Sequence, residues 1–549
     1  MNNEQASVEP ANISFDKIPK TSRLFLEYIY KNDQVAKFYN GSTFSNFKDI
    51  AQEVIKQEFD RETVAEVLKA QNVKYGSSEL TFRNIELLRN PSTVAVVTGQ
   101  QAGLFSGPLF TIYKALTAIK LAKTLSEEGT TAVAIFWVAS DDHDFAEVDH
   151  CKIINNEGKL QTIRYQQQEA ATTPSVGQIK LSDSIKEQIS ELISALPASE
   201  FIAEISEMLH ESYQPGNGFA ESFAKLLAKL FAPYGVILLN PQDEKLKQLA
   251  AKLIAPVIRE SHSIAEALVA HTKQLEMSGY HAQVHINQNT VPVFVTDDGS
   301  RTAIIREGNC FILKTSSKCR SMQDLLNQLQ ANPSNFSPSV LLRPIVQDFL
   351  LPTVAYIGGP AEIAYFAQLL PLYQFFNRIP PRATPRKSLT IVQKRFYDLM
   401  NKYELTFQDL FYGRDGILKK VIEQSVDSET TAIFEQTEKL FDSQLDSLRQ
   451  SLLKVDPTLA EALKNGKEKI FYQLQNLRTR FVTSSAKRQE TLARQLERML
   501  LTLMPEGNLQ ERELNLFFFF ARYGRGFIDT LYNSIDLNSP DHKLVYSLS

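Results

Sequence analysis

The run Trp137 to His150, WVASDDHDFAEVDH, sets Asp141, Asp142, His143 and Asp144 side by side, directly behind the apolar stretch Ala132 to Ala139. Carboxylates crowded against an imidazole acquire separated pKa values, which suits general acid–base work. Asp142, His143 and Asp144 are therefore the candidate catalytic residues, acting as a base or placing a substrate. A metal site is the rival use of the same run. In a helix, His143, Glu147 and His150 would share one face at i, i+4 and i+7, with oxygen ligands alongside. No metal is expected on balance. The plainest alternative is a capped helix start on a solvated loop.

A second segment, Thr98 to Ala115 (TGQQAGLFSGPLFTIYKA), puts glycines between an apolar run and a helical pattern. Such a loop can bring backbone N–H groups close to an anion, and the following helix dipole adds favourable potential. Gln100 and Gln101 would add side-chain amides at the same mouth. The segment matches neither GxGxxG nor GxxxxGK[ST], and glycines at such a turn are as often structural. In a third segment, Val340 to Phe366, Arg343 and Asp348 interrupt an apolar passage. A buried structural pair and anion recognition by Arg343 are equally open, because buried charges are usually paired. Gly358 and Gly359 are expected to form the other wall of a cleft. Cys151 and Cys310 are poor nucleophile candidates. Three cysteines, with Cys319, are too few and too scattered for a disulfide framework and suit a reducing compartment.

These segments need elements to position them. Thr93 to Val97 reads as a strand, Pro108 opens a helix reaching Leu125, and Ala132 to Ala139 reads as a strand buried on both faces. Together they make a right-handed βαβ unit and imply a parallel sheet, so the class is α/β. The acidic cluster then lies at the carboxyl end of the sheet, where such folds bind ligands. Gly235 to Leu239 with Asp243 to Ile254 adds a strand–helix pair. Residues 291–314 read as an antiparallel meander, and Thr353 to Ile357 returns to the sheet. The Pro- and Arg-rich passage Ile379 to Ser388 looks like a domain boundary.

Beyond it the pattern is helical. Phe441, Leu445, Leu448, Leu452 and Val455 form one apolar seam. Ile470, Leu474, Leu477 and Phe481, extended by Leu492, Leu496, Met499 and Leu503, form another. Asp456-Pro457 between them is a cap and a first-turn proline, so a long antiparallel hairpin is expected over an ordinary helical subdomain. The expected division is 1–388 for the core, 389–504 for the helical arm and 505–549 packing back on the core.

The chain has 549 residues, 43% hydrophobic and 22% charged, with a net charge of −4. That composition excludes disorder and offers no global attraction for nucleic acid or anionic membrane. The first twenty residues lack a basic patch followed by an apolar run, so no signal peptide is expected and a cytoplasmic protein is.

The segments TGQQAGLFSGPLFTIYKA, DDHDFAEVDH, GYHAQVH (279–285), LLRPIVQDFLLPTVAYIGGPAEIAYF and PEGNLQER (505–512) occur in an order that closely resembles the BshC family of bacillithiol synthesis. The resemblance spans roughly residues 20–549. It implies a Rossmann-like core with inserted connecting segments and a long antiparallel α-helical coiled-coil arm used for homodimerisation. It implies a cysteine ligase that joins cysteine to the amine of glucosaminyl malate, forming an amide. Kinship with adenylate-forming ligases and nucleotidyltransferases implies a nucleotide, ATP or ADP. Its expected contacts are Thr98, Gly99, Gln100, Gln101, Gly103, Gly107, Gly358 and Gly359. Lys114 and Arg343 are the expected anion contacts to malate, and the base is expected among Asp142, His143 and Asp144. The sequence departs from those superfamilies in lacking HxGH, and Lys314 to Lys318 (KTSSK) resembles a KMSKS loop only superficially. A nucleotidyltransferase acting on another small molecule, or a non-catalytic coiled-coil interaction protein, are the alternatives.

Overall fold

The computed structural model describes residues 11–39, 46–167, 174–425 and 428–547. The run after Pro91 forms β1 (Val94–Gln100), followed by α1 (Phe110–Glu127) and β2 (Ala132–Val138). β1 and β2 pair in parallel from Val94↔Ala132 to Gln100↔Val138. β3 (Ile237–Leu239) leads to α2 (Glu244–Arg259), whose cap, Asp243, accepts from the Lys245 and Leu246 N–H groups. Next come β4 (Thr290–Asp297), β5 (Ser300–Glu307), β6 (Cys310–Leu313), β7 (Cys319–Arg320) and β8 (Phe336–Pro338). The chain returns through α3 (Arg343–Leu350) to β9 (Thr353–Gly358), α4 (Pro360–Phe366) and β10 (Arg382–Pro385).

Two sheets position the site. The parallel sheet has the order β10-β9-β1-β2-β3, and the antiparallel sheet the order β7-β6-β5-β4-β8. Val96, Val97, Ile135, Phe136 and Ile357 are fully buried in the first. Each such side chain contributes about 1.5–3 kcal/mol of burial free energy, so the strand ends are held by a rigid core. The β4–β5 turn uses Asp298 (φ 48°) and Gly299 (φ 78°), both left-handed, as a two-residue hairpin turn requires.

One expectation changes, and another is refined: the passage 379–388, expected as a boundary, contains β10, the edge strand of the parallel sheet, and the first compact unit runs on to Ile391. Pro385 is tolerated there because an edge strand can lack a ladder donor. The cysteines are not all separate either: Cys310 and Cys319, on neighbouring strands β6 and β7, are disulfide-bonded.

The chain divides into two compact units, the described parts of Met1–Ile391 with Asn508–Tyr546, and Val392–Gly507. The second unit contains α5 (Ser428–Leu453) and α6 (Pro457–Leu503). Asp456 caps α6 through the Thr458 N–H at 2.8 Å, and Pro457 fills its first turn. The helices run antiparallel: Lys467 pairs with Asp442 and Asp446, while Arg478 lies near Glu435 and Glu438. Leu492, Leu496, Met499 and Leu503 are buried, whereas Phe441, Leu448, Ile470 and Leu477 are exposed. No helix among the described residues is long and apolar enough to cross a membrane.

Candidate active site

β2 ends at Val138, and the acidic cluster follows at the carboxyl edge of the sheet. Asp141 pairs at 2.7 Å with Lys247, which is buried and also donates to the Phe336 carbonyl. Asp142 is bonded at both oxygens. Its Oδ1 accepts from the N–H groups of His143 (2.7 Å) and Asp144 (3.3 Å), and its Oδ2 from Gln101 Nε2 (2.6 Å). Burial pushes this carboxyl up, but Gln101, the two N–H groups and the Arg301 charge outweigh it and hold Asp142 below the usual carboxylate range. Asp142 is therefore a weak base that orders the loop. Asp144 is exposed.

The run does not continue as a helix. One 3-10 turn, Phe145–Glu147, is followed by a strand, His150–Ile154. His150 bonds Asp149 at 2.9 Å, and Glu147 accepts from Gln101. The helical face that would have aligned His143, Glu147 and His150 on a metal does not exist. Among the described residues no group of three His, Cys, Asp or Glu side chains could hold a metal ion.

A cleft of about 510 Å³ opens beside the cluster, bounded by the strand ends and the antiparallel sheet. Asp142, His143, Phe294, Arg301, Lys314 and Arg343 line it. The Arg301 guanidinium carbon sits over the Phe294 ring, 3.8 Å from its centroid, and the side chain donates to Ser337 Oγ (2.9 Å) and the Pro338 carbonyl (3.1 Å). Its NH1 is 3.3 Å from His143 Nδ1. Arg343 donates to Gln347 and to the Tyr365 hydroxyl, and sits 5.0 Å from the Tyr356 ring. Asp348 is not hydrogen-bonded to it, although the Arg343 charge still favours the ionised carboxyl. That carboxyl is held by Tyr373 and Gln347, and burial raises it to about 6. Arg301 carries no sequence signal of its own, since a charged residue after a hairpin turn is ordinary. Lys314 does belong to KTSSK, and its place at the cleft gives that segment a contact its loose motif did not.

The other expected residues sit elsewhere. Lys114 is buried, pairs with Glu362, and donates to the Gly99 carbonyl (2.9 Å) and Gln100 Oε1 (2.8 Å). An ammonium has three N–H donors, so Lys114 has none left for a substrate anion. Burial lowers its pKa. Burial raises Glu362, yet Lys114, the Gly359 N–H and Tyr356 hold it below its ordinary value. Thr98 donates to the Ile357 carbonyl. The Gly359 N–H is bonded to Glu362, and the Gly358 carbonyl accepts from the Arg386 N–H.

Gly103 and Gly107 are buried and packed backbone to backbone. A Cβ on Gly103 would lie 2.8 Å from Gly107 Cα. Two of the loop's donors are used inside the protein: Leu104 N–H on the Val148 carbonyl and Gly107 N–H on the Leu104 carbonyl. Asn515 ties down the carbonyls of Phe105 (2.7 Å) and Gly107 (2.8 Å). The Gly103–Gly107 turn is thus a packed element of the core.

Two family models together match nearly the whole chain: the N-terminal Rossmann-like domain of bacillithiol biosynthesis BshC over residues 11–387 and its C-terminal coiled-coil domain over 389–547. The chain belongs to the BshC family. A relative from Koribacter versatilis is 35% identical over 98% of this chain and 99% of its own, and is named "Putative cysteine ligase BshC". Relatives of the same name from Solibacter usitatus (34% identical, 96% and 98% covered) and Salinibacter ruber (32%, 95% and 96%) are similar in extent. Every cleft residue named above falls in the part matched by the BshC Rossmann-like domain.

Proposed function

We propose that this BshC-family protein is a cysteine ligase that joins the carboxyl carbon of cysteine to the amine of glucosaminyl malate. One conjunction supports the reading: a chain matched along its length by BshC keeps a cleft at its sheet edge lined by two imidazoles, of His143 and His285, and two guanidiniums. The amine nitrogen attacks an activated cysteinyl carbon, the C–N bond forms, and the bond from that carbon to the activated oxygen breaks. The ammonium must lose its proton first and the new amide nitrogen a second one. His143 lines the cleft, where an imidazole N–H suits the charge that grows on the acyl oxygen. Arg343, which lines the cleft, suits a malyl carboxylate, because a guanidinium fork matches a carboxylate. A carboxylate does not acylate an amine unaided, so the assay includes ATP.

Homodimerisation through the coiled coil is part of the same proposal. It is supported by Phe441, Leu448, Ile470 and Leu477, apolar residues 40%, 48%, 41% and 57% exposed on the hairpin. The chemical reading is tested by incubating purified protein with cysteine, glucosaminyl malate and ATP and following product by mass spectrometry. The expected product has the mass of both substrates less one water. Folded protein that yields none with ATP or another nucleoside triphosphate overturns it.

A further inference from the structure

Arg301 is fixed from several sides. The guanidinium carbon sits over the Phe294 ring, Ser337 Oγ accepts from Nε, the Pro338 carbonyl accepts from NH2, and NH1 faces His143 Nδ1 at 3.3 Å. These contacts come from β4, β8 and the loop after β2, so the guanidinium cannot shift without losing several at once. A guanidinium has N–H donors and no acceptor, and it stays charged at any working pH. The ring nitrogen facing it can only accept.

We propose that Arg301 is a positioning residue that holds the His143 imidazole with its proton on Nε2, so that His143 presents an N–H donor to an acyl or carboxylate oxygen of the ligand in the cleft. The competing arrangement would put the proton on Nδ1 and donate it to Asp142 Oδ1, 3.5 Å away. That oxygen already accepts from the His143 and Asp144 N–H groups, and the other oxygen is taken by Gln101. Asp141 offers no alternative, being paired with Lys247. A fixed N–H donor is what stabilises an oxygen on which negative charge grows when an amine adds to an acyl carbon. The identity of that oxygen rests on the ligase reading; the tautomer does not.

The test uses full-length protein labelled with 15N only in histidine. The chain has eight histidines, and the His143 signals are those lost in His143→Gln. At neutral pH the neutral His143 ring of the wild type should show a protonated Nε2 and a bare Nδ1. Arg301→Met should abolish that preference, and Arg301→Lys, which keeps a cationic donor, should restore it in part. A proton on Nδ1 in the wild type, or an unchanged tautomer in folded Arg301→Met, overturns the proposal. Where ligation is measured, Arg301→Met should lower kcat on the order of 10²-fold with a much smaller change in KM. A raised KM with intact kcat would make Arg301 a substrate-holding group and overturn the positioning role. The expected tautomer in a protein that ligates nothing would leave Arg301 and His143 as assigned and sink only the ligase reading.

Discussion

Lys114 and Glu362 form an ion pair beneath the sheet edge, with the lysine almost wholly buried and the glutamate also capping α4 through the Gly359 N–H. Removing one member leaves the other charge buried and unpaired, which typically costs about 3–5 kcal/mol. Lys114→Met should therefore lower the denaturant midpoint of the unit by that order. The double variant Lys114→Met/Glu362→Leu should recover part of the loss. A Lys114→Met protein of unchanged stability and raised KM would return the lysine to the role of an anion contact.

His542 is buried between the Ser388 and Thr390 hydroxyls, beside the Arg386–Glu511 pair. Burial lowers its pKa from 6.5 to about 4. A folded pKa below the unfolded one means the unfolded chain takes up the proton first as pH falls. The stability is fully present above pH 6.5 and is lost between 6.5 and about 4, by an amount on the order of 3 kcal/mol. Urea midpoints measured across that window should fall in the wild type and fall less steeply in His542→Gln. Parallel slopes would show that other groups carry the acid sensitivity.

The parallel sheet is legible in the sequence because TVAVV and AVAIFWVA are continuous apolar runs, the mark of strands covered on both faces. The hairpin is legible because Asp456-Pro457 has a local capping meaning that needs no tertiary context. The glycine loop is less so. Gly103 and Gly107 are spaced as a ligand cradle would space them, but they are required by a backbone contact that Asn515, far along the chain, secures. Arg301 is illegible for a related reason: Phe294, Ser337 and His143 come from three separate segments, and only folding makes them one cage. The i, i+4, i+7 spacing of His143, Glu147 and His150 carried meaning only in a helix, and the chain turns into a strand at His150.

The exposed half of the hairpin should be the dimer contact. Leu448 and Leu477 are about half exposed within one chain, so a charge there has little to disturb in that chain's own fold. Leu448→Asp with Leu477→Asp should give a folded monomer by light scattering, because an unpaired charge in an apolar seam is costly. Leu496→Asp, at a fully buried position, should instead unfold the unit. A double variant that stays dimeric would remove the hairpin from the interface.

The acidic cluster should divide by role, and turnover should show it. His143 lines the cleft, and Asp142 is tied to Gln101 and two backbone N–H groups. Asp144 is exposed, and its side chain makes no cap bond to the turn it opens. His143→Ala should lower kcat by about 10²–10³-fold, the usual contribution of one N–H donor to a developing oxyanion, with the melting temperature nearly unchanged. Asp142→Asn should lose activity and stability together, since one oxygen becomes an amide facing donors it cannot accept from. Asp144→Asn should leave both nearly intact. If Asp144→Asn matches the loss in His143→Ala while the protein stays folded, the base is Asp144, and the loop must bring it into the cleft when substrate binds.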